Sequence, residues 1–155
     1  MSDDLLSGLA DAVGARATSR GWTVAVAESL TGGALSAELA KAEHAGEWFA
    51  GGVVAYTGTT KFRVLDVPEG PVVTPEAARA MAFGVLELTG ADAAVAVTGV
   101  GGPGEEEGRP AGTVFVCAAT RDTVRDAAHA FDGGPERVVA LSIEHALRRL
   151  ADVLS

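Results

Sequence analysis

Apolar and polar positions alternate along the chain in blocks that change period. From Asp3 to Arg20, Leu5, Leu6, Leu9, Val13 and Ala17 recur at three- and four-residue spacing, which predicts an amphipathic helix closed by Gly21. Thr23–Ala27 is a short apolar run that reads as a strand, and Ala34–Lys41 reads as a helix. Glu43–Glu47 reads as a loop, Trp48–Tyr56 as a second strand softened by Gly51-Gly52, and Gly58–Leu65 as a short helix or turn. Asp66–Pro71 is loop, with two prolines and a glycine. Thr74-Pro75 then opens a helix that runs to about Thr89, where Gly90 ends it.

Ala91–Thr98 is apolar almost throughout, as a strand covered on both faces would be. Gly99–Gly112 reads as a glycine-, proline- and glutamate-rich loop. Thr113–Ala119 and Val124–Phe131 read as a hairpin, and Pro135–Leu154 as a terminal helix. About five strands and five helices mixed along the chain predict an α/β fold: one three-layer α/β/α domain over residues 1–155. The terminal hairpin makes its sheet mixed and partly antiparallel.

Composition narrows the picture. The chain has 155 residues, enough for one domain with a substantial core, and only 5% are aromatic, so Ala, Val and Leu must fill it. The net charge of −9 argues against a nucleic-acid surface, which needs clustered positive charge. No apolar run approaches the roughly 20 residues that span a bilayer. The Met1-Ser2-Asp3-Asp4 start lacks the basic and apolar segments of a secretion signal. Cys117 is the one cysteine, so no intramolecular disulfide forms; a buried Cys117 and a cytoplasmic location are expected.

Candidate chemistry gathers where strands end. Glu28-Ser29-Leu30-Thr31-Gly32-Gly33 lies between a strand and a helix, which places Ser29 at a strand's carboxyl end beside backbone N–H groups suited to a phosphate or oxyanion. The alternative is that Ser29 and Thr31 only cap the helix and the glycines shape the turn. Tyr56 and Lys61 follow the second strand and can both face a pocket, or the lysine is solvated. A lysine near a serine acts as its base when burial lowers the lysine pKa.

Gly99-Val100-Gly101-Gly102-Pro103-Gly104 matches G-x-G-x-x-G in form, but Pro103 and Glu105-Glu106-Glu107 predict a loop where the dinucleotide motif needs a helix. Such a loop either brings N–H groups to a ligand or simply turns the chain. The three glutamates read as a solvated loop ahead of a magnesium site. His44, His129 and His145 share no metal-ligand spacing, no Walker-type phosphate loop occurs, and no G-x-S-x-G elbow supports a serine–histidine triad.

Four blocks in order carry a resemblance: Glu28-Ser29-x-Thr31-Gly32-Gly33; Gly52-x-x-x-Tyr56-x-x-x-x-Lys61; Val73-Thr74-x-Glu76-x-Ala78-x-x-Met81-Ala82-x-Gly84; and Val97-Thr98-Gly99-x-x-Gly102-Pro103-Gly104. Over roughly residues 5–152 the chain resembles the CinA carboxy-terminal domain family, the PncC-type nicotinamide mononucleotide deamidases, in their stand-alone form. The resemblance implies a metal- and cofactor-free amidohydrolase of NAD salvage, in a family also known as competence/damage-inducible proteins. It would release ammonia from nicotinamide mononucleotide to give nicotinate mononucleotide.

It implies Ser29 as nucleophile, Lys61 as its assistant and Tyr56 nearby. Glu28, Thr31, Gly32, Gly33, Thr98, Gly99, Gly101 and Gly102 would contact substrate. It implies a pyridine nucleotide as partner, a homo-oligomer, and neither nucleic acid nor membrane. The family's F-x-G-D-R-x-x-V-R segment reads Phe131-Asp132-Gly133-Gly134-Pro135-Glu136-Arg137-Val138-Val139 here, which leaves Arg137 as the cation expected on the substrate phosphate. That altered segment also leaves open a ligand-binding or regulatory module on the same fold.

Overall fold

The computed structural model describes residues 3–155; Met1 and Ser2, part of the start read above, lie outside them. The elements in order are α1 (Asp3–Arg20), β1 (Val24–Glu28), α2 (Ala34–Ala40), α3 (Ala45–Trp48), β2 (Phe49–Val54), α4 (Gly58–Val64), α5 (Pro75–Thr89), β3 (Ala93–Gly99), β4 (Thr113–Thr120), β5 (Val124–Ala130) and α6 (Pro135–Val153). The five strands form one sheet in the order β2-β1-β3-β4-β5. The first three are parallel, and β4 and β5 run antiparallel to their neighbours, so the sheet is mixed as expected.

Strand alternation builds two cores. On β1 and β3, Val24, Val26, Ala93, Val95 and Val97 face one side, where α1, α2 and α6 supply Val13, Leu35, Leu39, Leu147 and Leu150. Ala25, Ala27, Ala94 and Ala96 face the other, under α5 and the end of α4, with Met81, Val85 and Leu65. Small side chains on that second face let α5 lie close to the sheet. Both faces of β1 and β3 are covered, which explains their near-continuous apolar sequence.

Two boundaries differ from the sequence reading. The expected loop over Glu43–Glu47 contains the one-turn helix α3, entered through left-handed His44, so there are six helices among the described residues. Trp48 ends that helix instead of opening the strand; its indole is buried and donates to the Glu43 carbonyl at 3.2 Å. The second strand also stops at Val54, two residues short of Tyr56.

The start of α5 follows the expected rule. Thr74 accepts from the Ala77 N–H at 3.0 Å, Pro75 takes the first helical position, and left-handed Gly90 ends the helix. Cys117 is buried on β4, and its thiol pKa is pushed up to about 12, chiefly by that burial. His129 stacks on Phe131 at 4.8 Å and meets His145 at 4.4 Å, packing β5 onto α6. Among the described residues no helix is long and apolar enough to cross a membrane.

Candidate active site

The chain leaves β1 toward β2 and leaves β3 toward β4, so these adjacent parallel strands diverge at their carboxyl ends. A crevice at such a switch point is where open α/β sheets place ligands. In the parallel register Glu28 pairs with Val97; one position further lie Ser29 and Thr98. Alternation sends Glu28 to the α2 side, with Val24 and Val26, and sends Ser29 to the α4–α5 side, with Ala25 and Ala27. Neighbouring residues therefore serve opposite faces.

Glu28 is fully buried, and its carboxylate is consumed by its own turn. It accepts from Thr31 Oγ1 (2.6 Å) and from the N–H groups of Gly33 (3.1 Å), Leu35 (2.9 Å) and Ser36 (2.8 Å). These are orphan donors of the α2 N-terminus, and a carboxylate is the group that terminus favours. Glu28, Thr31 and Gly33, expected at the substrate, are thus hydrogen-bonded to one another within the turn. The alternative in which Ser29 or Thr31 caps the helix does not hold: Gly33 is the cap residue, and the side-chain acceptor for the first N–H groups of α2 is the Glu28 carboxylate. Gly32 and Gly33 have φ of 59° and 106°, conformations that fold the turn back over Glu28 and that glycine adopts freely.

Lys61 approaches from α4, whose first turn is capped by Thr57 Oγ1 accepting from the Thr60 N–H at 3.3 Å. The lysine is 1% exposed, an unusual state for an ammonium. Its Nζ donates to Ser29 Oγ at 2.8 Å and to the Tyr56 carbonyl at 3.1 Å. Burial lowers its pKa below the ordinary lysine value, while Glu106 and Glu107 oppose that shift. A desolvated amine beside a buried hydroxyl is the arrangement that activates serine for attack. The N–H groups of Leu30 and Thr31 directly follow Ser29 and have no acceptor among the described residues.

The other expected residues divide. Tyr56 touches Lys61 through its carbonyl, while the residue as a whole is 67% exposed. Thr98 is buried at the register position beside Ser29, and its hydroxyl donates to the Val72 carbonyl at 2.9 Å. Gly99 is demanded by β4, because a Cβ there would lie 2.5 Å from the Thr113 carbonyl oxygen. Gly102 packs on Ala111, whereas Gly101 borders open space. Arg137 is exposed in the first turn of α6, its stem lying over Gly133.

Sequence reasoning missed Glu107, which accepts from the Val72 and Val73 N–H groups; a glutamate before a glycine at a loop tip was the available signal. A surface cavity of about 650 Å³ lies at the other end of the sheet, lined by Trp22, Asp92 and Arg121 among others. It does not reach the buried pair. Among the described residues no three His, Cys, Asp or Glu side chains are grouped to hold a metal ion.

A family model described as the CinA C-terminal domain matches residues 6–154. The chain belongs to the CinA C-terminal domain family. Nicotinamide-nucleotide amidohydrolase PncC of Enterobacter agglomerans is 35% identical, covering 96% of this chain and 97% of that protein. Protein YdeJ of Escherichia coli is 34% identical, covering 97% and 91%. A CinA-like protein of Desulfotalea psychrophila is 42% identical over 87% of the chain, but the chain spans only 34% of that longer protein. A crystal structure of a CinA superfamily protein from Escherichia coli superposes with a TM-score of 0.93 at 32% identity, covering 99% of this chain and 93% of that one. The CinA-type fold and the four sequence blocks thus coincide in one chain, with the buried serine–lysine pair at their meeting point.

Proposed function

We propose that this CinA-type domain hydrolyses the carboxamide of nicotinamide mononucleotide, giving nicotinate mononucleotide and ammonia. The observation that carries the reading is the 2.8 Å contact between a fully buried lysine amine and Ser29 Oγ. The name of the PncC relative supplies the substrate. Neutral Lys61 takes the Ser29 proton as Oγ attacks the amide carbon. The resulting oxyanion is met by the free N–H groups of Leu30 and Thr31. Lys61 then returns the proton to the leaving nitrogen, which departs as ammonia and leaves an ester on Ser29. Water, deprotonated by Lys61, attacks that ester, releases the carboxylic acid and restores the serine.

Arg137 takes the substrate phosphate at the rim, where the first turn of α6 sits at the same end of the sheet as Ser29. Gly101, bordering open space, contacts the nucleotide. The setting is the cytoplasm, in keeping with a single buried thiol, and the working form is a homo-oligomer.

A second reading, a ligand-binding module without turnover, draws on Glu106 and Glu107, whose charge favours protonated Lys61. Incubation of pure protein with nicotinamide mononucleotide separates the two. Stoichiometric ammonia and nicotinate mononucleotide support the enzyme; saturable binding without either product supports the module.

A further inference from the structure

Glu107 stands where a glutamate is out of place. Glu106 and Arg109 close a tight turn, with Glu106 N–H donating to the Arg109 carbonyl at 3.1 Å and Arg109 N–H to the Glu106 carbonyl at 2.8 Å. The two residues between them, Glu107 and Gly108, have φ of 53° and 75°. A turn of that hand calls for Asn, Asp or Gly at its first central position. A longer side chain there holds local strain, and such strain persists only where surrounding contacts fix it.

The contacts that fix it lie across the cleft rim. The Glu107 carboxylate accepts from the Val72 N–H at 2.8 and 3.2 Å and from the Val73 N–H at 2.8 Å. From the opposite side Thr98 Oγ1 donates to the Val72 carbonyl at 2.9 Å. Both polar backbone groups of Val72 are therefore held. Thr98 occupies the register position next to Ser29 and faces the same side of the sheet. The Val72–Val73 segment is thus fastened over the end of β3 beside the nucleophile, between a buried hydroxyl and a carboxylate.

We propose that Glu107 is a positioning residue of the active site, seating the Val72–Val73 segment against Thr98 so that it forms the wall beside Ser29. The inference rests on the amidohydrolase reading for its kinetic consequences but not for the clamp. Glu107 has a second effect through charge. The charged groups around Lys61 are Glu106 and Glu107 from the glycine-rich loop, Glu28 behind the turn with its carboxylate already taken up, and exposed Arg63 and Asp66 beside it in the chain. Removing the Glu107 charge makes neutral Lys61 easier to reach, so the acid limb of the kcat/KM profile moves to lower pH.

The test compares wild type, Glu107→Ala, Glu107→Gln and the neighbouring control Glu105→Gln. With nicotinamide mononucleotide, Glu107→Ala raises KM about tenfold, the effect of one charged hydrogen-bond contact, with kcat little changed. Glu107→Gln keeps an acceptor oxygen and recovers most of KM, and both Glu107 variants move the acid limb to lower pH, which Glu105→Gln does less. Amide hydrogen exchange decides the clamp independently of turnover. Glu107→Ala speeds exchange at Val72 and Val73 at least tenfold, and Glu107→Gln does so less. Unchanged exchange at both amides overturns the clamp. Faster exchange with an unchanged KM and pH profile overturns the positioning role. A wild type that releases no ammonia overturns the activity reading, while the exchange result still decides the clamp.

Discussion

Two buried charged residues meet at one turn and are treated in opposite ways. Glu28 is surrounded by four donors from its own turn and the next helix. Lys61, as deeply buried, has one hydroxyl and one carbonyl for three donor hydrogens, and burial lowers its pKa. A saturated charge holds the backbone in place and has nothing left to offer a ligand. An undersatisfied one is costly to keep charged and ready to exchange a proton. The contrast separates Glu28, whose carboxylate is spent on the scaffold, from its neighbour Ser29, the partner of the undersatisfied amine.

The sharpest way to break the contrast is to remove the amine. Lys61→Met should lower kcat/KM at least a thousandfold, about 4 kcal/mol, and also raise the thermal midpoint. The sign follows from linkage. A lysine whose folded pKa is depressed burdens the folded state at all pH below that pKa, and the burden fades only as pH rises toward the unfolded value near 10.4. Methionine removes it at neutral pH, and each kcal/mol gained appears as about 2–4 °C. An inactive variant with an unchanged or lower midpoint would show that Lys61 is not an undersatisfied charge.

Removing the acid should act in the other direction. Glu28→Ala strands three amides and a hydroxyl in a buried turn and should lower stability by about 3 kcal/mol or more, read from the urea midpoint. A variant as stable as wild type would deny Glu28 its scaffold role.

At the rim, Arg137→Ala should weaken nicotinamide mononucleotide by about 1.5–3 kcal/mol, roughly ten- to a hundredfold, and spare the dephosphorylated riboside. Equal loss for both ligands would remove Arg137 from phosphate recognition.

The smallest effect concerns His129, whose pKa is lowered by burial first and then by His145 and Arg149. Its folded pKa lies below the unfolded value near 6.5, so its contribution is complete above that pH and is lost as pH falls. Stability should decline below about pH 6.5, and His129→Asn should flatten that part of the curve.

The fold was legible where local rules sufficed. Thr74-Pro75 announces α5, and the apolar run ending at Thr98 announces a central strand, because capping and two-faced burial leave marks in short windows. The one-turn helix at Ala45–Trp48 was not legible, since four residues carry no period and its entry is a left-handed histidine. Ser29 and Lys61 were found as residue types at strand ends, but their contact spans 32 positions and depends on how α4 sits on the sheet. Glu28 and Ser29 were read as parts of one unit, and the structure gives their side chains different partners. Period-two alternation, with Val24, Val26 and Glu28 on one face and Ala25, Ala27 and Ser29 on the other, would have separated them.

The central claim, that Ser29 activated by Lys61 is the nucleophile, is tested most directly by ammonia release from nicotinamide mononucleotide with wild type and Ser29→Ala side by side, each checked for fold by its urea midpoint. The account predicts turnover by wild type, loss of at least a thousandfold in the variant, and a variant that still unfolds cooperatively with stability lower by about 1–3 kcal/mol, the cost of taking one acceptor from the Lys61 amine. A folded Ser29→Ala protein that releases ammonia at the wild-type rate would contradict it.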